Sequence, residues 1–319
     1  MTDQELEQRL RTALEHAAPD HLEALLSRCE LRRGNVIPMT VPARKPRKKA
    51  AMAWLAAACL ALVVVGGGAG VQYYQANAVA SVISLDVNPS VELDVNRQEK
   101  VVSAVPLNAD ANEILDGMDL KGADLNVAVN AIMGSLLKHG YVDELANSIL
   151  ISVDNDDAQR GAELQEQLTQ EVNNLLQTNS FSGAVLSQTV SDDNTLRAQA
   201  EQYGITLGKA QLIQQIAAEN SRYTFADLVP LSINELNLLR SSGASEREAV
   251  DSVQSVGDAS DKAYIGAEKA KKAAFDRAGV SQDKAANVSV ELDYEDGVMV
   301  YQVEFQSGGY EYECDVNAA

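Results

Sequence analysis

Hydrophobic and polar residues alternate strictly along residues 83–96, which read ISLDVNPSVELDVN. This period of two is typical of a strand with one buried face. Pro89 interrupts it, because proline has no N–H for a sheet hydrogen bond. The pattern predicts strands at 81–87 and 90–95, followed by one at 99–106. The apolar positions of the alternating stretch share one parity: Ile83, Leu85, Val87, Val91, Leu93 and Val95.

Helical and strand patterns then continue in mixed order, which predicts an α+β fold. Strands are expected at 148–153 and 183–190, and helices at 124–139, 156–177, 196–203, 209–219, 225–229 and 233–239. These elements form one mixed domain over 75–240. Residues 241–262 read as a linker. A small domain over 263–319 is expected to contain a helix at 263–278 and an antiparallel meander at 288–294, 298–305 and 310–316.

A long apolar run precedes the first strand. Residues 50–71 contain no charged side chain, and 22 residues at about 1.5 Å each suffice to cross a hydrocarbon core of about 30 Å. Five basic residues lie directly before the run, and the next Lys or Arg is Arg97. The positive-inside rule therefore predicts a single-pass transmembrane helix with a cytoplasmic N-terminus and an extracytoplasmic C-terminus. The alternatives are a cleaved signal peptide, for which Ala76-Asn77-Ala78 has a suitable pattern, and a buried core helix.

The segment before the run divides in two. Residues 1–33 have leucines at helical spacing on both sides of Pro19, which predicts two short amphipathic helices. So small a unit covers its apolar stripe poorly. It is interpreted either as a partner-binding hairpin or as a marginal cytoplasmic tail. Residues 34–49, with three prolines and five basic residues near the end, are predicted to be a stiff linker to the membrane.

Charge and cysteine content exclude several classes of function and site. The chain has a formal net charge of −20, although residues 1–49 contain ten Lys and Arg against seven Asp and Glu. A nucleic-acid-binding surface is therefore not expected in the acidic C-terminal part. Cys29, Cys59 and Cys314 would lie in three compartments, so no disulfide is expected. No metal-spaced cluster, phosphate loop or nucleophile–histidine pairing is found, and neither a cofactor nor a small-molecule substrate is predicted.

The dipeptide Asn88-Pro89 carries the main chemical hypothesis. An asparagine usually ages when the next backbone nitrogen attacks its side-chain amide, but the proline nitrogen has no hydrogen and cannot do so. The remaining route is attack by the Asn88 side-chain nitrogen on its own carbonyl carbon. This attack closes a succinimide and expels the proline nitrogen, which cuts the chain without a protease.

Such a weak nucleophile needs help from the fold. Strain at the tertiary amide, a donor to the oxyanion and an acid for the leaving nitrogen are all physically sensible. The strand parity predicts one polar face on which Asp86, Ser90 and Glu92 accompany Asn88, and these are the candidate helpers, with no role assigned to any one of them. The alternative is that Asn-Pro is an ordinary turn dipeptide in a bent edge strand.

The sequence SLDVNPSVELDVN, followed by VVSAVPLNADANEIL, resembles the extracytoplasmic segment of RsgI-type membrane anti-sigma factors. The likeness covers about residues 75–155 and continues more weakly to 240 through ITLGKAQLIQQI and SINELNLL. Residues 263–316, which include DYEDGVMVYQVEFQSGGYEYECDVNA, resemble a PepSY domain.

The resemblance implies an anti-sigma factor that sequesters an alternative sigma factor through residues 1–33. It also implies autoproteolysis between Asn88 and Pro89, after which the two pieces stay joined by strand pairing. Removal of the outer piece would then allow an intramembrane protease to cut the span, which is regulated intramembrane proteolysis. Apart from this single-turnover cleavage, the protein is not expected to be an enzyme. The alternative function is an envelope-anchored binding or peptidase-inhibitor protein with no role in transcription.

Overall fold

The computed structural model describes four stretches of the chain. They are residues 78–178, 181–190, 193–243 and 253–319, to which Gln8 and Thr12 add two isolated helical positions.

Several sequence predictions lie outside these residues. They concern the two amphipathic helices of 1–33 beyond the two isolated positions, the basic linker 34–49, the transmembrane helix 50–71, and Cys29 and Cys59. Within the described part, no helix is both long and apolar enough to cross a membrane.

The alternating stretch folds as a tight antiparallel hairpin. β1 (Val79–Asp86) pairs with β2 (Ser90–Asn96), which pairs in turn with β3 (Val101–Pro106). The three predicted strands are thus confirmed, with slightly different ends. The prediction that Asn88 belongs to a polar strand row is wrong, because residues 87–89 form the hairpin turn.

These strands belong to a mixed six-stranded sheet. Its order is β3, β2 and β1, followed by β4 (Ser148–Asn155), β5 (Ala184–Val190) and β6 (Gln254–Val256). β4 lies antiparallel to β1, and β5 lies parallel to β4. The connection between these two parallel strands is the long helix α3 (Ala158–Thr178). β1 is therefore an inner strand, hydrogen-bonded to a neighbour on each side.

Helices cover both faces of the sheet. On the face of Ile83 and Leu85, the core is completed by α1 (Ala109–Leu115), α2 (Leu125–Lys138) and α3. On the face of Leu150 and Leu186 it is completed by α5 (Leu207–Glu219), α6 (Phe225–Leu228) and α7 (Ile233–Gly243), while α4 (Asn194–Tyr203) packs beside α5. The mixed α+β fold predicted for this region is confirmed.

A second, three-stranded sheet forms the C-terminal part. α8 (Ala267–Ala278) precedes the antiparallel strands β7 (Ala286–Glu295), β8 (Val298–Ser307) and β9 (Tyr310–Asn317). Both hairpin turns have two residues with positive φ: Asp296 and Gly297 at 49° and 84°, and Gly308 and Gly309 at 61° and 84°. This is the geometry expected of type I′ turns. The predicted helix and meander are confirmed.

The stretch predicted as a linker is partly built into the fold. In its described part, β6 (Gln254–Val256) adds a short antiparallel strand to β5. Val253 and Ser260 are buried on either side of it. A single cluster of buried side chains joins Leu150 and Leu186 of the large sheet to Phe275 and Phe305 of the C-terminal part. The boundaries of the two domains stay a prediction.

Candidate self-cleavage site

Asn88 and Pro89 lie at the tip of the β1–β2 hairpin. The turn is closed by a hydrogen bond of 2.9 Å from Val87 N to Pro89 O. Ile233 N, at the start of α7, donates a longer bond of 3.4 Å to Val87 O. Pro89 is buried and Asn88 is exposed. The backbone of the turn is therefore fixed by these two hydrogen bonds and by the burial of Pro89. The side chain of Asn88 makes no hydrogen bond to the residues that the structure describes.

The backbone of Asn88 is strained. Its φ is 127°, and the other positive-φ residues apart from glycine in the described part have values between 49° and 57°. The left-handed region near 50° is mildly unfavourable for an L-residue, whereas the region around Asn88 is adopted almost only by glycine and costs about 1–3 kcal/mol. This strain lies at the residue whose carbonyl would be attacked in the proposed cleavage.

Asp86 is a buried acid two residues before Asn88 in the chain. It ends β1 and is paired directly with Ser90, which begins β2. Its side chain is fully buried, and Thr206 Oγ1 donates a hydrogen bond of 2.7 Å to Oδ2. Oδ1 has no hydrogen-bond partner among the described residues.

The protonation of Asp86 is set by opposing effects. Burial is the largest and raises the pKa of its carboxyl group, because the charged form loses hydration. The hydroxyls of Ser90 and Thr206, the positive charge of Lys209 and the hydroxyl of Ser84 act in the lowering direction. The net result is a raised pKa, which favours the proton that a general acid needs.

Glu92 lies on the same sheet face, two residue pairs further from the turn than Ser90. It is paired with Ser84 and is half-buried. Burial raises its pKa, and the carboxylates of Asp94 and Asp86 raise it further. The structure therefore brings Asp86 and Ser90 to the turn and places Glu92 beyond them.

A cavity of about 190 Å³ adjoins the turn. The wall includes the polar residues Asn88, Ser90, Asn108 and Lys209. Its remaining residues are Val87, Gly204, Ile205, Val229, Pro230 and Ile233. Lys209 Nζ donates a hydrogen bond of 2.7 Å to Leu231 O. Burial lowers the pKa of Lys209, and the charges of Asp86 and Glu235 oppose that shift.

Two residues at this site, Thr206 and Lys209, were missed by sequence reasoning. Thr206 is the N-cap of α5, and its Oγ1 accepts a hydrogen bond from Lys209 N. The sequence signal was a threonine before a helical pattern, which predicts a cap but not a contact with a carboxylate 120 residues earlier. In the described stretches, no group of three His, Cys, Asp or Glu side chains is arranged to hold a metal ion.

Comparison with known proteins links this region to transcriptional regulators. Residues 80–215 match the sequence model of the anti-sigma factor RsgI-like central domain. The chain is 27% identical over 158 residues to the anti-sigma-I factor RsgI9 of Acetivibrio thermocellus and 28% identical over 165 residues to RsgI6 of the same organism. It is 23% identical over 133 residues to the anti-sigma-I factor RsgI of Bacillus subtilis.

The similarity concerns one segment of each relative. The three alignments cover 48%, 48% and 41% of this chain, but only 22%, 21% and 34% of RsgI9, RsgI6 and the Bacillus subtilis protein. The matched segment contains the hairpin with Asn88 and Pro89, as well as Thr206 and Lys209 of α5. The resemblance to RsgI-type proteins noted from the sequence is supported. The matched segment includes all the candidate catalytic residues, while the cavity residues Val229, Pro230 and Ile233 lie beyond it.

Proposed function

We propose that this chain is a membrane-anchored anti-sigma factor controlled by self-cleavage between Asn88 and Pro89. Two observations support the proposal together: the match of residues 80–215 to the RsgI-like central domain, and the strained Asn88 at the tip of a hairpin beside a buried acid. The strained backbone carries the cleavage step, because an ordinary turn would place glycine in that conformation.

The proposed reaction is intramolecular. Asn88 Nδ2 forms a bond to the carbonyl carbon of Asn88, and the bond from that carbon to Pro89 N then breaks. Nδ2 loses one proton and Pro89 N gains one, so the products are a C-terminal succinimide and a new N-terminal proline. Water can later open the ring. Release of the strain at Asn88 lowers the barrier relative to a relaxed turn.

Asp86 is proposed as the acid that supplies the proton to Pro89 N. Its burial, its raised pKa and its position opposite Ser90 support this role. Ser90 is proposed to donate to the developing oxyanion, since its hydroxyl lies on the second residue after the cleaved bond. Glu92 is proposed to act only through its charge, because it lies two residue pairs further from the turn.

The strand order explains how a cut chain would stay together. The membrane-side piece would end at Asn88 and would contribute β1, which is hydrogen-bonded to β2 on one side and β4 on the other. The outer piece would begin at Pro89 and contain every other described strand. We propose that removal of this outer piece, including the PepSY-like residues 263–319, permits an intramembrane protease to cut the span at 50–71.

The sigma factor is proposed to bind residues 1–33 on the cytoplasmic side. A deletion of residues 1–43 tests this part separately, because it leaves the span and the outer region intact. Loss of control over a sigma-dependent reporter supports the anti-sigma role. Unchanged transcription instead supports the envelope-binding alternative.

Self-cleavage is tested on the full chain, tagged at both ends and separated under denaturing conditions. The wild type should yield two fragments whose masses place the cut between Asn88 and Pro89. Asn88→Gly should remain whole, since it removes the nucleophile while tolerating the positive φ. Asn287→Ala is the matched control, because Asn287 is a second positive-φ asparagine, far along the chain in β7. An intact wild-type chain would refute the cleavage step.

A further inference from the structure

The buried acid beside the turn is held by a residue from a distant part of the chain. Thr206 and Asp86 are separated by 120 residues, and their hydrogen bond is buried. Thr206 is 1% exposed and Asp86 is fully buried. Since neither oxygen of this bond can exchange its partner for water, its loss leaves a buried carboxyl group without a donor at Oδ2.

The hydroxyl of Thr206 has only one proton, and the structure assigns its use. Oγ1 accepts a hydrogen bond of 2.9 Å from Lys209 N as the N-cap of α5. The proton is therefore free to be donated to Asp86 Oδ2 at 2.7 Å. The same atom thus fixes the start of α5 and one oxygen of the acid.

The first turn of α5 is fixed against the sheet from which Asp86 projects. Gly208 lies so close to strands β1 and β4 that an added Cβ would come within 2.0 Å of Ser152 Oγ and 3.0 Å of Ser84 Oγ. Lys209 is anchored separately by its hydrogen bond to Leu231 O, and it lines the cavity beside Asn88. The helix start is consequently held in position on three sides.

We propose that Thr206 is a positioning residue for self-cleavage, which holds Oδ2 of Asp86 so that Oδ1 carries the proton delivered to Pro89 N. This inference rests on the proposed function. Oδ1 has no described partner, as expected of the oxygen that must release its proton to the leaving nitrogen. When the bond from the Asn88 carbonyl carbon to Pro89 N breaks, Asp86 loses this proton and recovers the one that Asn88 Nδ2 gives up.

The proposal also predicts a pH dependence. The charged groups that act on Asp86 or its partners are Glu92 on β2, Lys209 on α5 and Glu235 on α7, the last acting on Lys209. The hydroxyl of Thr206 favours the carboxylate form of Asp86 and lowers its pKa. Loss of this hydroxyl should therefore extend the protonated form to higher pH.

The test uses pulse-labelled full chain made by cell-free synthesis with lipid nanodiscs, and follows the conversion of whole chain to fragments between pH 5.5 and 8.5. Thr206→Val should slow cleavage about tenfold or more, within the range that general acids contribute. The pH at which its rate declines should also be higher than in the wild type. Thr206→Ser should restore both the rate and the pH profile. Thr224→Val is the matched control, because Thr224 is the N-cap of α6 and does not contact Asp86.

The outcomes separate this inference from the proposed function. A wild-type chain that stays whole contradicts the cleavage step itself. A wild type that cuts, with a folded Thr206→Val chain that cuts at the same rate and with the same pH profile, contradicts only the role of Thr206. If Thr206→Val does not fold, Lys209→Met replaces it, since it removes the cation near Asp86 without removing the cap. An unshifted pH profile in that variant also overturns the inference.

Discussion

Gly208 of α5 lies directly against Ser152 of β4, and a Cβ at Gly208 would come within 2.0 Å of Ser152 Oγ. Gly208→Ala should push the helix start away from the sheet and destabilise the fold by about 1–3 kcal/mol, as overpacking does. It should also slow cleavage, because Thr206 moves with the helix. Urea unfolding followed by circular dichroism measures the first effect, and fragment yield measures the second.

Gly134→Ala is the control for that substitution. Gly134 lies within α2, is exposed, and has no atom within 4 Å of an added Cβ. Alanine there should stabilise the helix by about 0.5–1 kcal/mol through its propensity alone. Equal stability changes at the two glycines would contradict the close contact at Gly208.

Glu92→Gln should make the stability of the fold less dependent on pH. Burial and neighbouring carboxylates raise the pKa of Glu92 above its ordinary value of 4.5. The folded state therefore binds this proton more tightly than the unfolded state, and the stability it provides is lost as pH rises from 4.5 through the folded pKa. Glutamine stays neutral throughout, so the free energy of unfolding of the variant should exceed that of the wild type by on the order of 0.5 kcal/mol at pH 7 and by little at pH 4. The gain is small because the side chain of Glu92 is partly exposed.

Urea unfolding at pH 4, 5.5 and 7 checks this dependence, in an Asn88→Gly background that keeps the chain covalently whole. Glu166→Gln removes the same charge from an exposed position of α3 and controls for net charge. A gain that is equal at pH 4 and pH 7 would contradict the assignment to Glu92.

The hairpin shows why the sequence predicted the strands correctly but misplaced Asn88. Asp86 and Ser90 are paired with three residues between them, so the alternation of apolar and polar positions passes through the turn unchanged. The period-two pattern therefore gives the correct buried face for Leu85 and Val91. It cannot reveal that the chain reverses at Asn88, since a three-residue turn preserves parity.

The hydrogen-bond and charge partners of Asp86 show which part of the site could not be predicted from the sequence. Asp86 and Ser90 are close in sequence, and strand parity alone places them on one face. Thr206 and Lys209 reach the site only because α5 packs across the sheet, and no local pattern encodes that distance. The hydroxyl cap of α5 could be predicted from a threonine before a helix, but its donation to Asp86 is a tertiary contact.

A buried amide network joins α7 to the sheet, and Asn234→Ala should disrupt it. Asn234 Oδ1 accepts a hydrogen bond of 2.9 Å from Ser148 Oγ, and Nδ2 donates one of 2.8 Å to Ser260 O. Alanine leaves both partners buried without that bond, which should cost about 3 kcal/mol. Asn112→Ala, at an exposed position of α1, should change stability by less than about 0.5 kcal/mol. Thermal unfolding measures the melting temperatures of the two variants, and Asn234→Ala should melt at the lower temperature. Equal melting temperatures would contradict the stabilising role of the network.

Phe305→Ala should loosen both sheets together, because one core joins them. Phe305 is 1% exposed and meets Phe275 edge-to-face at 4.8 Å, in the same buried cluster that contains Leu150 and Leu186 of the large sheet. The lost ring should cost about 3–5 kcal/mol. Hydrogen exchange measured by mass spectrometry should then rise in peptides of β4, β5 and α5 as well as in β7–β9. Tyr310→Ala, at a residue that is 71% exposed, should leave hydrogen exchange unchanged in both groups of peptides. Faster exchange confined to β7–β9 would instead show that residues 263–319 unfold as an independent domain, since local opening follows cooperative units.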